Sequence, residues 1–240
     1  MKIIRCKNYE EMSREAAKIV EAVVALKNDA VLGFATGSTP EGLYANLAAD
    51  CKAGKADFSK TVTVNLDEYC GLAADHPQSY RYFMNDKLFN HINIDMNNTH
   101  LPNGKAADLP AEAARYEKEV AALGYADLQV LGVGHNGHIG FNEPDSFLVQ
   151  DTHVTDLTED TIDANSRFFE SANEVPKQAL TMGIGTIMHA KKIILLASGA
   201  NKRDAIATLF NGKVDPMSPV TVLNLHHDVT LLCDDEAWPL

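Results

Sequence analysis

Short apolar runs alternate with longer stretches of helical periodicity along this chain, and that alternation is the strongest constraint on its fold. The short runs are rich in β-branched and aliphatic residues and lie at Ala30–Ala35, Thr61–Leu66 and Leu128–Leu131. Apolar residues recur at helical spacing in Glu10–Leu26 and Pro110–Leu123. Strands that alternate with helices usually pair in parallel, because each helix carries the chain back across the sheet. We therefore expect an α/β fold: a doubly wound, mainly parallel open sheet, Rossmann-like, with helices on both faces.

The remaining elements extend this pattern without an internal boundary. We expect Thr39 to cap a helix that begins at Pro40 and ends near Ala49. Further elements are predicted at Gln78–Asn90, Lys192–Ala197, Lys202–Phe210 and Val229–Leu232. No linker or repeat interrupts the 240 residues, so we expect a single domain over 1–240. The stretch near 153–175 is polar and aperiodic, and we expect it to form a lid over the functional site.

The composition excludes several classes of function. A formal net charge of −12, with no basic run to offset it, argues against binding to nucleic acid or to anionic membranes. The four cysteines form no C-x-x-C pair, which suits a reducing compartment. We therefore expect a cytoplasmic protein that binds a small molecule. Monomer and homo-oligomer both remain open.

Four polar turns follow predicted strands, at 36–40, 67–71, 132–144 and 198–202. Ligands of open α/β sheets bind at the carboxyl ends of the strands, so we expect these turns to converge on one site. The first of them leads into the N-terminus of a helix, where free N–H groups and the helix dipole favour an anion. A phosphate fits this turn, held by Thr36, Gly37, Ser38 and Thr39, and an ordinary capped turn is the alternative.

The glycine-rich turn matches a nucleotide-binding pattern but continues in a way that contradicts it. Gly132, Gly134 and Gly137 satisfy G-x-G-x-x-G, yet the loop runs on to Pro144 instead of opening a long helix. His138 and Glu143 are five residues apart in this loop and form a candidate acid–base pair. Asn136 cannot ionise, so it is limited to positioning by hydrogen bonds. We interpret the loop as catalytic.

Other polar residues near strand ends are candidate site residues, although each also has a simpler structural interpretation. Asp67 and Glu68 alternate on an extended strand, so one can face a ligand as a proton-accepting base while the other anchors the loop. Arg167 and Lys202 are candidate phosphate partners, although such cations are often only solvated. No His or Cys spacing supports a metal site, and we expect none. We expect the aromatic residues Tyr80, Phe83 and Phe89 to pack a helix against the sheet.

Several motifs together resemble the glucosamine-6-phosphate deaminase family. They occur in order along nearly the whole chain: Leu32–Pro40, Asn65–Leu72, His76–Tyr80, Gly132–Pro144, Ser166–Phe169 and Thr181–Thr186. The resemblance implies hydrolytic isomerisation and deamination of glucosamine 6-phosphate to fructose 6-phosphate and ammonia, with no metal or organic cofactor.

The resemblance also implies a role for each candidate residue. His138 would open the sugar ring, with Glu143 and Asn136 holding it in place. Asp67 would take the proton from C2 and deliver it to C1. The phosphate would bind the 36–39 turn, with Arg167 and Lys202 as counter-charges.

Two departures from the family pattern alter these expectations. Some members carry Asp where this chain has Asn136, so we expect a shifted pH dependence with activity retained. Members regulated by N-acetylglucosamine 6-phosphate carry Arg-x-Lys-Thr where this chain has His153–Asp156, so we expect an unregulated enzyme.

Two other functions are alternatives to the deaminase. A 6-phosphogluconolactonase-like hydrolase would share the fold and the glycine loop, but that family continues the loop with a Ser-Leu-Phe-Pro type of sequence. A non-catalytic sugar-phosphate sensor attached to a DNA-binding segment conflicts with the acidic charge.

Overall fold

The computed structural model describes residues 1–158 and 175–239, and these contain ten strands and six α-helices. The strands are β1 Lys2–Cys6, β2 Val31–Phe34, β3 Val62–Asn65, β4 Asp67–Tyr69, β5 Thr99–His100, β6 Leu128–Gly132, β7 His153–Asp156, β8 Gln178–Thr181, β9 Ile193–Ala197 and β10 Val229–Asp234. The α-helices are α1 Tyr9–Leu26, α2 Glu41–Lys52, α3 Tyr80–Lys87, α4 Leu109–Ala122, α5 Ile184–Met188 and α6 Arg203–Thr208.

Seven strands form one parallel sheet in the order β1-β10-β9-β6-β2-β3-β5. From β2 the chain winds outward through β3 to β5, then returns to place β6 on the other side of β2 and winds outward again through β9 and β10. The order therefore reverses between β2 and β6. A crevice opens at such a reversal because the two connecting loops leave toward opposite faces of the sheet. The predicted α/β architecture is confirmed.

Side chains alternate between two hydrophobic cores, one on each face of the parallel sheet. On one face Leu32, Phe34 and Leu196 pack with residues of α1 and α2. On the other face Val31 and Leu195 pack with residues of α4, α5 and α6. Burial on both faces explains why these strands are continuously apolar in sequence. The core therefore holds the strand ends, and with them the polar turns, in fixed positions.

A second, antiparallel sheet joins β4, β8 and β7 and was not predicted. Its strands have only three or four residues each, and β4 pairs with a strand more than a hundred residues later. Asp67–Tyr69, predicted as the end of a strand and a turn, instead begins this sheet. The segment 153–156 of the predicted lid is β7, and 159–174 lies outside the described residues, so the lid stays a prediction.

Three helices begin with a side-chain cap, and a fourth, α2, lacks the cap that the sequence predicted. The side chains of Asn8, Ser79 and Asp108 each accept a backbone N–H from the first turn of α1, α3 and α4. The prediction that Thr39 caps α2 was wrong. Pro40 occupies the cap position of α2, and its own side chain makes no capping hydrogen bond.

Candidate active site

A cleft of about 250 Å³ lies at the reversal of strand order. All four predicted polar turns reach it, from the carboxyl ends of the adjacent strands β9, β6, β2 and β3. Its polar walls are formed by Thr36, Gly37, Ser38, Thr39, Asp67, Gly134, His135, His138 and Lys202, and its apolar walls include Leu66, Tyr80 and Phe141. The predicted convergence of the turns is confirmed.

One end of the cleft is suited to an anion. Gly37 has a φ of +96°, a conformation open to glycine, and this bends the chain between β2 and the start of α2. The hydroxyls of Ser38 and Thr39 make no hydrogen bond to another described residue, so both can donate to a ligand. Lys202 lines the same cleft from the turn after β9 and supplies positive charge. Hydroxyls and a cation close to a helix start make this end of the cleft a candidate anion subsite.

Tyr9 of α1 fixes the backbone of this subsite from behind. Its hydroxyl donates to the carbonyl of Ser38 at 3.0 Å and accepts the N–H of Gly42 at 2.7 Å. One side chain thus ties the turn to the first turn of α2. Tyr9 was not singled out in the sequence, because its only signal was its place at the start of a predicted helix.

Asp67 is a buried carboxylate at the floor of the cleft, with a relative exposure of 6%. It pairs with Thr181 across the antiparallel sheet, which fixes its backbone. Among the described residues its carboxylate accepts no hydrogen bond. Burial, with a smaller contribution from the charge of Glu68, raises the pKa of Asp67 to about 8. A carboxyl group with such a pKa can accept and return a proton near neutral pH.

Glu68 points to the other side of β4 and is fully engaged. Its carboxylate accepts the backbone N–H groups of Tyr69, Tyr80 and Arg81 at 2.8–2.9 Å. Burial raises the pKa of Glu68, and these hydrogen bonds oppose that rise. The carboxylate therefore anchors the start of α3 to β4. The alternation expected from the sequence is confirmed: Asp67 faces the cleft and Glu68 anchors the loop.

An aromatic wall stands beside Asp67. The rings of Tyr80 and Phe141 are stacked with centroids 6.1 Å apart, and Tyr69 packs 4.6 Å from Tyr80. Burial raises the pKa of Tyr80 well above its usual range, so its hydroxyl stays protonated. The expectation that Tyr80, Phe83 and Phe89 pack a helix against the sheet is confirmed, since all three contact one hydrophobic core. Tyr80 also lines the cleft, which was not expected, because it begins α3 next to β4.

The glycine loop places His138 against the cleft. A Cβ on Gly134 would lie 2.3–2.5 Å from ring atoms of His138, so only glycine leaves room for the imidazole. Gly137, with a φ of +89°, turns the backbone between these two residues. The dinucleotide pattern in this loop therefore serves a different purpose: its glycines make space for a histidine.

Two further polar side chains lie behind His138. The amide of Asn136 donates to Oε2 of Glu143 at 2.7 Å, and its Oδ1 accepts the backbone N–H of His138 at 3.2 Å. The same Glu143 oxygen is 3.3 Å from Nδ1 of His138, within ion-pair range but not aligned as a hydrogen bond. Glu143 can therefore stabilise a protonated imidazole, and Asn136 fixes the position of the carboxylate.

The loop is attached to the second sheet at two points. The N–H of Phe141 donates to Oγ1 of Thr181 at 3.1 Å, and the Asn142 amide donates to the carbonyl of Met182 at 2.9 Å. Because Thr181 also pairs with Asp67, one residue connects the candidate base to the candidate acid–base loop. The antiparallel sheet thus sets the relative position of the two.

The structure brings most predicted site residues together. Seven line the cleft, namely Thr36, Gly37, Ser38, Thr39, Asp67, His138 and Lys202. Asn136 and Glu143 contact His138 or each other from behind the cleft wall. Arg167 lies outside the described residues. Within 1–158 and 175–239, no group of three or more His, Cys, Asp or Glu residues is arranged to hold a metal ion.

In the part of the chain that the structure describes, no helix combines the length and the apolar character needed to cross a bilayer.

A family model and individual relatives of known function indicate the same family for this chain. The sequence pattern of "Glucosamine-6-phosphate isomerases/6-phosphogluconolactonase" matches residues 7–232. A glucosamine-6-phosphate deaminase of Clostridium beijerinckii is 56% identical over 98% of this chain and 98% of its own length. One of a Thermoanaerobacter species is 57% identical over 100% of this chain and 95% of its own.

Solved structures agree with the sequence matches. A monomeric glucosamine-6-phosphate deaminase of the NagB superfamily matches with a TM-score of 0.96 and 49% identity, over 99% of this chain and 98% of that one. A 6-phosphogluconolactonase from Trypanosoma cruzi matches with a TM-score of 0.79 at 22% identity, over 98% of this chain and 95% of that one, which shows a shared fold. The chain therefore belongs to the family of glucosamine-6-phosphate isomerases and 6-phosphogluconolactonases and, within it, to the glucosamine-6-phosphate deaminases.

Proposed function

We propose that this protein converts glucosamine 6-phosphate and water to fructose 6-phosphate and ammonia. The observation that carries the proposal is the placement of Asp67, a buried carboxylate whose pKa is raised to about 8, in one cleft with the candidate anion subsite and the His138–Glu143 pair. Isomerisation of a 2-amino sugar needs these three functions: an anchor for the phosphate, an acid–base group for ring opening and a base that moves a proton between neighbouring carbons.

Substrate binding begins at the phosphate. The hydroxyls of Ser38 and Thr39, just before α2, bind its oxygens, and Lys202 offsets its charge. We include Arg167 as a second counter-charge. With the phosphate held at one end, the other end of the sugar is directed toward Asp67 and His138.

Ring opening is assigned to His138. The imidazole takes the proton from the anomeric hydroxyl and returns one to the ring oxygen, which breaks the bond between C1 and that oxygen and leaves an aldehyde at C1. Glu143, 3.3 Å from Nδ1, stabilises the ring while it carries the proton. Asn136 holds Glu143 in place through its 2.7 Å hydrogen bond. Both residues act through His138 as positioning groups.

Proton transfer and deamination follow at Asp67. Its carboxylate removes the C2 proton of the open-chain amino aldehyde, and the C1 oxygen takes up the proton that the C2 ammonium group gives up, so that an enolamine forms. The resulting carboxylic acid then protonates C1. The amine at C2 is then an iminium, which adds water and releases ammonia to leave the C2 ketone. Because no backbone N–H saturates the Asp67 oxygens among the described residues, their lone pairs stay available for the transfer. The cleft residues complete this sequence without a cofactor.

The direct test is incubation of the purified protein with glucosamine 6-phosphate in the absence of added metal, with ammonia and fructose 6-phosphate measured separately. We expect both products in equal amounts. Absence of ammonia at every pH contradicts the proposal. Hydrolysis of 6-phosphogluconolactone without deamination would support the lactonase alternative, and binding of the sugar phosphate without turnover would support a sensor.

We further propose that the activity is unregulated by N-acetylglucosamine 6-phosphate. The stretch His153–Asp156 forms β7 and carries no Arg or Lys. We expect a hyperbolic dependence of rate on substrate, with the same shape when N-acetylglucosamine 6-phosphate is added. A sigmoidal curve that becomes hyperbolic on its addition would overturn this part of the proposal.

A further inference from the structure

Another buried carboxylate, Asp234, contacts the turn that leads to Lys202 but does not line the cleft. It is the last residue of β10 and has a relative exposure of 4%. It accepts the hydroxyl of Ser198, the backbone N–H of Gly199 at 3.1 Å and the N–H of Ala237 at 2.9 Å. Two of these donors belong to the turn that follows β9. A buried carboxylate with this many donors holds them firmly, because each would otherwise lose its partner.

The turn held by Asp234 has an unusual backbone. Gly199 has a φ of +89°, and the chain then enters a single 3₁₀ turn, Ala200–Lys202. The N–H of Lys202 donates to the carbonyl of Gly199 at 3.0 Å. Asp234 therefore orients the peptide of Gly199, and Gly199 in turn fixes the start of the helix that presents Lys202 to the cleft.

We propose that Asp234 is a positioning residue for the phosphate subsite and acts through Lys202. This inference rests on the proposed function only in taking phosphate as the group that Lys202 meets. Asp234 and Tyr9 then hold opposite sides of the subsite. Asp234 fixes the turn after β9, and Tyr9 fixes the turn after β2.

The test compares Asp234→Asn, Lys202→Met and the double variant, with inorganic phosphate as the probe and titration calorimetry as the readout. Asparagine keeps the shape of Asp234 but presents an NH₂ group where two donors need acceptors. We expect Asp234→Asn to weaken phosphate binding about tenfold, the effect of one charged hydrogen bond. In the Lys202→Met background the same change should have less than about a twofold effect, because the group it positions is gone.

Turnover gives a second readout that a general loss of stability would not reproduce. In Asp234→Asn the KM for glucosamine 6-phosphate should rise about tenfold while kcat stays within about twofold. Asp235→Asn is the matched control. That neighbouring carboxylate is about half exposed and pairs with Arg5, so phosphate binding should be unchanged. Should Asp234→Asn fail to fold, Ser198→Ala removes one donor and should give a smaller change in the same direction.

Three results would overturn the inference: no binding of phosphate to the wild-type protein, equal weakening with and without Lys202, or a fall in kcat at unchanged KM. Phosphate binding is measured without turnover. A protein that fails to deaminate the sugar but shows the coupling between Asp234 and Lys202 would therefore refute the proposed function and leave this inference standing.

Discussion

Asp67 and Glu68 are adjacent carboxylates on one three-residue strand, and their surroundings differ completely. Both are buried, with relative exposures of 6% and 3%. Glu68 accepts three backbone N–H groups, whereas Asp67 accepts none from the described residues. Burial alone therefore does not decide what a carboxylate does. The donors around it decide whether it anchors the backbone or remains available to a substrate.

The difference arises from the geometry of β4. Successive side chains of a strand point to opposite faces, so neighbours in sequence meet different parts of the molecule. Glu68 meets the free N–H groups at the start of α3, and Asp67 meets the cleft and the aromatic wall. Glu68 also raises the pKa of Asp67 through its negative charge, so the structural carboxylate contributes to the chemistry of its neighbour.

The largest expected effect comes from Asp67→Asn. Asparagine cannot accept the C2 proton, and general bases contribute on the order of 10²–10⁴ in rate, so we expect turnover to fall at least about a thousandfold. Binding of inorganic phosphate should stay within about twofold, because the subsite lies at the other end of the cleft. Steady-state ammonia release and calorimetry measure the two effects. Asp75→Asn, on an exposed loop nearby, is the control.

Retention of deaminase activity in Asp67→Asn at more than a few per cent of wild type would show that another group moves the C2 proton.

The second effect tests the anchoring role of Glu68. Glu68→Gln replaces an acceptor-only group with one that carries two N–H donors against three N–H groups, and we expect a loss of about 2–3 kcal/mol in the free energy of unfolding. Urea denaturation measures it, with the exposed Glu10→Gln as a control expected to change by less than about 0.5 kcal/mol. In the folded variant, loss of the Glu68 charge should also shift the acid limb of kcat/KM to lower pH.

If Glu68→Gln changes neither the free energy of unfolding nor the pH profile, Glu68 neither anchors the start of α3 nor raises the pKa of Asp67.

The third effect is the pH dependence of stability. The pKa of Asp67 is about 8 in the folded protein and about 3.9 in an unfolded chain, so the folded state holds one more proton between these values. Stability should therefore decrease as pH rises from about 4 to about 8 through this group, and Asp67→Asn should remove that contribution. Thermal denaturation of both proteins at pH 5 and pH 8.5 measures it (about the two ends of the window). An equal change in both proteins would contradict the prediction.

The smallest effect concerns Asn136→Asp. The change replaces the amide of Asn136 with a second carboxylate beside Glu143. The added negative charge stabilises a protonated His138, but the 2.7 Å hydrogen bond from the amide to Glu143 is lost. We expect the pH–rate profile to shift by up to about one unit, with maximal activity kept within about tenfold. Initial rates across the pH range measure it. Complete loss of activity would show that the Asn136 amide is essential to the loop.

The sequence was sufficient to predict the parallel sheet and the convergence of its polar turns on one cleft. β2 and β9 are buried along their whole length, so their sequences are continuously apolar and easily recognised. The rule that ligands bind at strand ends then brings the turns together. Lys2–Cys6 escaped prediction because it is an edge strand with exposed charged residues. The antiparallel sheet escaped it because its pairing joins distant segments, which short patterns do not reveal.

Within the site, the features that the sequence did not predict depend on contacts between residues far apart in the chain. Tyr80 has the spacing of a core residue, and only the packing of α3 against β4 brings it to the cleft. The alternation of Asp67 and Glu68 was readable, but the number of donors around each depends on α3 and β8. Asp234 carried no signal, because its partners in the turn after β9 lie about thirty-five residues away.

The central claim is that Asp67 is a buried carboxyl group whose raised pKa lets it exchange a proton near neutral pH, its ionised form acting as the base. Carbon-13 NMR of aspartate-labelled protein follows each carboxyl through a pH titration. One resonance should titrate near pH 8 and disappear in Asp67→Asn. If every aspartate of the wild-type protein titrates below about pH 5, Asp67 is not held in the state described, and the account is wrong.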